Sequence, residues 1–288
     1  MESRARRAIL RRRLQEAPGR GIQGLKKLMV QDVTPLTLAL VVPCYNEAAR
    51  LDPAAFTTFV SSHPHVSLLF VDDGSTDATA EVLAQIRAAA PDAVSVMRLP
   101  VQQGKAEAVR TGILEGIRRQ AGLVGFWDAD LATPLSAVDD FLALAARRPE
   151  MEVILGSRVL LMGRDIRRHP SRHYLGRVFA TAVSLALDLP VYDTQCGAKV
   201  FRVGDAVSAV FATPFHDRWI FDVELLARYL ALPVEHNAPP RRARIYELAV
   251  SAWHHKTGSK LRWTDYVRAV PALCRIWRQR RAGRVASR

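Results

Sequence analysis

Two aspartates separated by one alanine, Asp128 and Asp130, directly follow the apolar run LVGFW. At a strand end both carboxylates can turn toward one point, where a divalent cation would bridge them to phosphate oxygens. All-oxygen ligands suit Mg²⁺ or Mn²⁺; taken alone, such a pair more often marks a solvated turn. A second loop, Asp72-Asp73-Gly74-Ser75-Thr76-Asp77, follows VSLLFV. Gly74 there allows a tight turn, Ser75 or Thr76 can cap the next helix, and one preceding aspartate is left free to accept hydrogen bonds from a base or ribose. Gly104-Lys105 opens a helical pattern and can bring an ammonium and backbone N–H groups near an anion. It is no P-loop, because residues 99–106 read LPVQQGKA and lack the GxxxxGK[ST] spacing.

The elements that must position these loops are short continuous apolar runs: TLALVV, VSLLFV, VSVM, LVGFW and VILG. Helical patterns lie between them, near 53–62, 77–89, 105–119 and 134–147, which predicts an α/β fold with a mostly parallel sheet covered by helices on both faces. Ligands of such sheets sit beyond the carboxyl ends of the strands. Four consecutive strand ends carry polar or acidic loops: Pro43-Cys44-Tyr45-Asn46-Glu47, the Asp72 loop, Gln103-Gly104-Lys105 and Asp128-Ala129-Asp130.

The chain has 288 residues, 49% of them hydrophobic and 24% charged, enough apolar side chain for a large core. Its net charge of +13 sits at the ends. Residues 1–27 carry nine Lys/Arg against two Glu, and residues 256–288 carry ten against one Asp. The remainder is nearly neutral, which argues against a nucleic-acid binder. Cys44, Cys196 and Cys274 are widely spaced, with no zinc-ligand pattern, and fit a reducing compartment. The N-terminal arginines precede no apolar h-region, so no secretory signal is read. Tyr174 to Leu189, the longest nearly apolar stretch, is 16 residues interrupted by Arg177 and Asp188, too short and too charged to span a bilayer. The basic stretch RDIRRHPSRHYLGR (164–177) leads into VFATAVSLALDL (178–189), and the segment reads either as an interfacial amphipathic helix or as a helix packed on the sheet. Further helices are predicted near 218–230 and 261–281, the latter broken at Pro271.

In order along the chain, VPCYNE, VDDGSTD, QQGKAEAV, WDAD and Gly156-Ser157-Arg158 resemble the family 2 glycosyltransferases of the GT-A fold. YDTQCGAKVFR (192–202), RWIFDVELL (218–226) and GSKL (258–261) are similar to the branch that glycosylates polyprenyl phosphates, in particular the dolichyl-phosphate β-glucosyltransferases. The resemblance covers about Leu38 to Leu261. It implies a basic N-terminal segment (1–34), a GT-A domain (35–261) and a basic helical C-terminal tail (262–288).

The same resemblance assigns residues. Pro43, Tyr45 and Glu47 would contact base and ribose, with Val71 and Asp73 beside them. Asp128, Ala129 and Asp130 match the DxD segment, Asp130 as principal metal ligand for Mg²⁺ or Mn²⁺ and Asp128 meeting metal or sugar. Lys105 would lie near the donor, and Lys260 would close on its diphosphate. Arg158 and Arg172 match a clamp for the acceptor phosphate, suited to a guanidinium fork. Asp222, with Glu224 two residues on, occupies the general-base position of other family 2 enzymes; toward a phosphate acceptor it would only orient. Ala106 stands where the family often has glycine, and Ala132 where the mannosyl branch commonly has a glutamine ligand. His254 replaces that branch's arginine and favours glucose.

The expectation is thus an inverting hexosyltransferase taking glucose from UDP-glucose to a polyprenyl phosphate. It would be held peripherally at the anionic cytoplasmic membrane face by its basic termini and the 164–189 segment, with a homodimer through the C-terminal stretch left open. The alternatives are a different acceptor, such as a soluble sugar or diacylglycerol, for which Asp222 would be an essential base, and a non-catalytic membrane scaffold.

Overall fold

The structure, a computed structural model, describes residues 36–167, 170–217, 220–254, 256 and 269–278, with the side chains of 167–175 excepted. The strands are β1 (Leu38–Cys44), β2 (Val66–Asp72), β3 (Val94–Arg98), β4 (Leu123–Trp127), β5 (Val153–Ser157), β6 (Asp165–Arg167), β7 (Ala198–Arg202), β8 (Ile245–Ala249) and β9 (Ala252–His254). The helices are α1 (Pro53–Ser62), α2 (Thr79–Ala89), α3 (Lys105–Arg118), α4 (Val138–Arg147), α5 (Pro170–Leu187), α6 (Asp205–Phe211) and α7 (Phe221–Ala231). Among the described residues a seven-stranded sheet runs β3-β2-β1-β4-β7-β5-β8, and β6 pairs with β9 separately. β1 lies parallel to β2 and β4, β2 to β3, and β5 to β8; β7 is antiparallel to both neighbours. The mostly parallel sheet expected from the sequence is therefore present, with β7 inserted in the opposite sense.

The sheet divides the core into two faces by strand alternation. Ala39 and Val41 face the cluster that holds α3 and α5–α7; Leu38, Leu40 and Val42 face the one that holds α1, α2 and α4. Burial on both sides explains why the parallel strands read as unbroken apolar runs. α1 starts where Asp52 accepts a hydrogen bond from Ala55 N–H (3.1 Å) and Pro53 takes the first turn. α3 lies unusually close to the sheet: a Cβ at Gly112 would stand 2.4 Å from Val41 Cγ1. That approach fixes where Lys105, at its first turn, emerges above the strand ends.

α5 is a helix packed on the sheet, the second reading of its sequence. Phe179, Val183 and Leu187, at helical spacing, are buried in the core, while Val178 and Leu185 are exposed. No helix of the described residues is long and apolar enough to cross a membrane. The break expected at Pro271 does not occur, since residues 269–278 are helical through it. Ala269, Ala272 and Ile276 form a buried stripe on the core, and Pro271 lies on the exposed side.

Ile276→Ala should lower unfolding free energy by about 2–5 kcal/mol in denaturant titration, with no effect of that size for the exposed Trp277→Ala.

Candidate active site

The parallel strands release their loops at one edge of the sheet. β7 enters at that same edge, because Ala198 pairs with Trp127. The first two loops are stitched together: Asp73 N–H donates to Cys44 C=O (2.8 Å), Asn46 N–H to Ser75 Oγ (3.0 Å) and Thr76 N–H to Asn46 Oδ1 (2.9 Å). Glu47 N–H donates to Thr79 Oγ1 (2.8 Å), and the Glu47 carboxylate pairs with Arg50. Pro43, Tyr45 and Glu47 are half-buried along this seam.

Two expectations are corrected here. Neither Ser75 nor Thr76 caps α2; they serve the neighbouring loop, and Asp77 Oδ1 receives Thr79 N–H (3.0 Å) instead. No aspartate of the Asp72-Asp73 pair stands free. Asp73, 2% exposed, accepts Gln103 N–H (2.7 Å) and Gly104 N–H (2.8 Å), while Asp72 accepts Ser75 N–H (2.9 Å) and lies 3.4 Å from Arg98 Nε. Carboxylates this deeply buried require donors; the third loop supplies those of Asp73, while Asp72 draws on its own loop and on Arg98 at the end of β3. Asp73 thereby sets the position of Gly104-Lys105. Val71, fully buried in the core, lies beneath it.

Asp128 and Asp130 follow β4. Asp128 N–H donates to Gly197 C=O (2.9 Å), and a Cβ on Gly197 would stand only 1.8 Å from Asp128 Oδ2. The carboxylate therefore fills the space that a side chain at position 197 would need. Lys105 Nζ lies 2.5 Å from Asp128 Oδ1. Burial opposes ionisation of Asp128, but Lys105, with Lys199 and Arg158 behind it, outweighs burial and holds the carboxyl below its ordinary value. Asp130 Oδ1 accepts Ala132 N–H (3.0 Å), and Ala132 C=O accepts His254 N–H (2.9 Å), tying the loop to β9. Ala129 is buried between the two aspartates. His254 itself pairs with Asp165 (2.6 Å). Ala106, next to Lys105, is packed in the core.

Asp222 reaches the same edge from α7. It is 5% exposed and lies 2.6 Å from Lys199 Nζ; Lys199 is fully buried, donates to Cys196 C=O (2.6 Å) and sits 5.0 Å from the Phe126 ring centroid. Glu224, expected beside a base, is instead a clasp. It accepts N–H groups of His216 (2.9 Å) and Asp217 (3.2 Å) and pairs with Arg228 (2.7 Å).

Arg158 is 2.6 Å and 2.8 Å from the two oxygens of Asp193 and stacks 5.4 Å from the Trp253 ring. The Nε–Nη2 edge of its fork is thus committed to Asp193, and this pairing raises the guanidinium pKa against the effect of burial. Asp193 N–H in turn donates to Glu247 Oε1 (2.6 Å). Arg172 lies on α5, but its side chain falls outside the described residues, as does Lys260 altogether.

Among the described residues no three His, Cys, Asp or Glu side chains converge as a metal cage. Asp128 and Asp130 nevertheless suit a hard dication that takes one or two carboxylates and completes its shell with water and substrate phosphates. The donor set fits Mg²⁺ or Mn²⁺.

The sequence profile of Glycosyl transferase family 2 matches residues 39–206. The chain belongs to glycosyl transferase family 2. A dolichyl-phosphate beta-glucosyltransferase of Saccharomyces cerevisiae is 30% identical over 251 residues, 80% of this chain and 71% of that protein. Those of Drosophila melanogaster (34% over 248 residues, 81% and 71%) and Homo sapiens (32% over 249 residues, 78% and 69%) are similar to it as well. The glucosyl-3-phosphoglycerate synthase of Mycobacterium tuberculosis shares the fold, with a TM-score of 0.59 at 17% identity over 90% of this chain and 85% of that one. The GT-A arrangement read from the loop order is the one adopted.

Residues without an assigned role in the sequence complete the site. Asp193, Gly197 and Lys199 were visible only as members of the run YDTQCGAKVFR. Glu247 had no signal, since a glutamate in the strand pattern IYELA looks like an exposed side chain.

Gly197→Ala should displace the Asp128 carboxylate and lower kcat/KM for sugar transfer by about 100-fold, as ångström-scale misplacement does; Gly204→Ala, with open space around it, is the silent control. Glu224 is also open to test through pH. Burial opposes its charge, but His216 and Arg228 hold its pKa below 4.5. The stability it contributes is present above 4.5 and lost as pH falls through the lower folded value. Glu224→Gln should flatten that acid limb in a plot of Tm against pH.

Proposed function

We propose that the chain transfers glucose from a nucleotide diphosphate sugar, UDP-glucose in the first instance, to a polyprenyl phosphate, with inversion to a β-linked product. The observation that carries this reading is the Lys199–Asp222 ion pair. A side chain buried and held at 2.6 Å by a lysine is badly placed to take a proton from a hydroxyl acceptor. A phosphate monoester arrives already ionised and needs no base. About 30% identity to proteins named dolichyl-phosphate beta-glucosyltransferase supports the same acceptor class.

In this reading Pro43, Tyr45 and Glu47 hold base and ribose, resting on the Val71–Asp73 seam, and Lys105 and Lys260 face the donor diphosphate. Asp128 and Asp130 would hold Mg²⁺ or Mn²⁺, which when bound neutralises charge on the departing diphosphate. Arg158, oriented by Asp193 and Trp253, presents the remaining part of its guanidinium to the acceptor phosphate, with Arg172 as its partner. Asp222 orients rather than deprotonates. The exposed apolar tip Leu160-Leu161-Met162, next to Arg164, together with Val178 and Leu185 on α5, supports attachment to an anionic membrane face, where the lipid acceptor resides.

Purified protein with UDP-glucose, Mn²⁺ or Mg²⁺ and a polyprenyl phosphate should form glucosyl phosphopolyprenol, and diacylglycerol or soluble sugars should remain unmodified. Absence of the lipid product with every nucleotide sugar tested would refute the assignment. Asp222→Asn, which keeps an acceptor atom for Lys199, should retain turnover per folded molecule within about tenfold, whereas loss of a general base costs about 10²–10⁴-fold.

A further inference from the structure

Four charged side chains alternate in sign across the strand ends. Asp128 is met by Lys105 at 2.5 Å, and Asp222 by Lys199 at 2.6 Å; the two ammonium groups lie 5.7 Å and 5.0 Å from the centroid of the same Phe126 ring. The two pairs differ in freedom. Lys199 is fully buried and anchored to Cys196 C=O, whereas Lys105 is 40% exposed and reaches Asp128 from the first turn of α3 on a flexible four-carbon stem. The mobile ammonium of Lys105 thus stands against a carboxylate assigned to the cation.

We infer that Lys105 is a resident counter-ion of Asp128 that a divalent cation must displace, and that the displaced ammonium is taken up by the donor diphosphate, so that cation and nucleotide bind cooperatively. This rests on the proposed cation site at Asp128 and Asp130. The physical basis is competition for one carboxylate. The Asp128 carboxylate fills the space that a Cβ on Gly197 would occupy, and Lys105 holds its Oδ1, so a cation that binds this carboxylate meets Lys105 on it. A dication bound there would face an ammonium at short range, and that repulsion is relieved only when Lys105 moves. Asp222 cannot receive it fully, because Lys199 already neutralises that carboxylate. An incoming diphosphate is the anion that can. Without nucleotide, Lys105 therefore lowers cation affinity; with nucleotide, it rewards binding of both.

The test measures Mn²⁺ affinity by electron paramagnetic resonance of free Mn²⁺, with and without UDP, for the full chain and for Lys105→Gln, Lys105→Arg and Asp128→Asn. Lys105→Gln should bind Mn²⁺ alone about tenfold more tightly than the unmodified protein, and the gain in Mn²⁺ affinity on adding UDP should shrink by a comparable factor, within the usual range of coupling between sites. Lys105→Arg, which keeps a cation in place, should behave like the unmodified protein, and Asp128→Asn should lose tight Mn²⁺ binding. If Mn²⁺ binds with UDP but Lys105→Gln binds Mn²⁺ alone no more tightly, the counter-ion role is wrong and the cation site stands. If no Mn²⁺ binds even with UDP, or Asp128→Asn binds it unchanged, the cation site fails and the counter-ion role with it.

Discussion

Asp128 depends on a contact that allows no side chain on its neighbour. Its carboxylate lies against the Cα of Gly197, its N–H is bonded to Gly197 C=O, and Lys105 holds it from the other side. That confinement exists because β7 runs antiparallel beside β4, placing residue 197 opposite the end of the parallel strand. A parallel strand would have brought its own carboxyl end, and not the loop 190–197, to this edge. The inserted strand is thus what turns a generic α/β crevice into a site with a fixed anion at its floor.

The same strand carries Lys199, a lysine on the core-facing side of β7 between apolar neighbours. Taking two charges out of water is costly, and a buried pair is weak evidence for stability, but removal of one partner leaves an uncompensated charge worth about 3–5 kcal/mol. Such a pair is better understood as a device of position: it fixes the Asp222 side chain in one place at the strand-end edge. Its cost is offset by the aromatic cluster around it, in which Phe126, Phe201 and Phe221 pack at 5.8–6.3 Å.

Loop stitching does the remaining work. Asp73 fixes the third loop through two backbone N–H groups, Glu247 fixes the 192–193 backbone, and Asp193 fixes Arg158. Each is a carboxylate whose acceptors hold main chain or a guanidinium. Preorganisation of this kind leaves the reacting charges in place before substrate arrives.

The order of the apolar runs, the loops at their ends and the DxD pair were legible in the amino-acid sequence because they are local: period, turn chemistry and spacing act within a few residues. They determined the α/β class, the sheet's parallel character, the strand-end location of the site and the family resemblance. Partnership was not legible. Which strand lies next to β4, that Lys199 meets Asp222 and Lys105 meets Asp128, that Arg158 is already bound to Asp193, and that the helix includes Pro271 depend on contacts between residues 23 to 35 or more positions apart, or on burial of a face. A charge in the chain carries no record of its counter-ion; long-range strand order and the desolvation of the core choose it, and only the tertiary structure contains that choice.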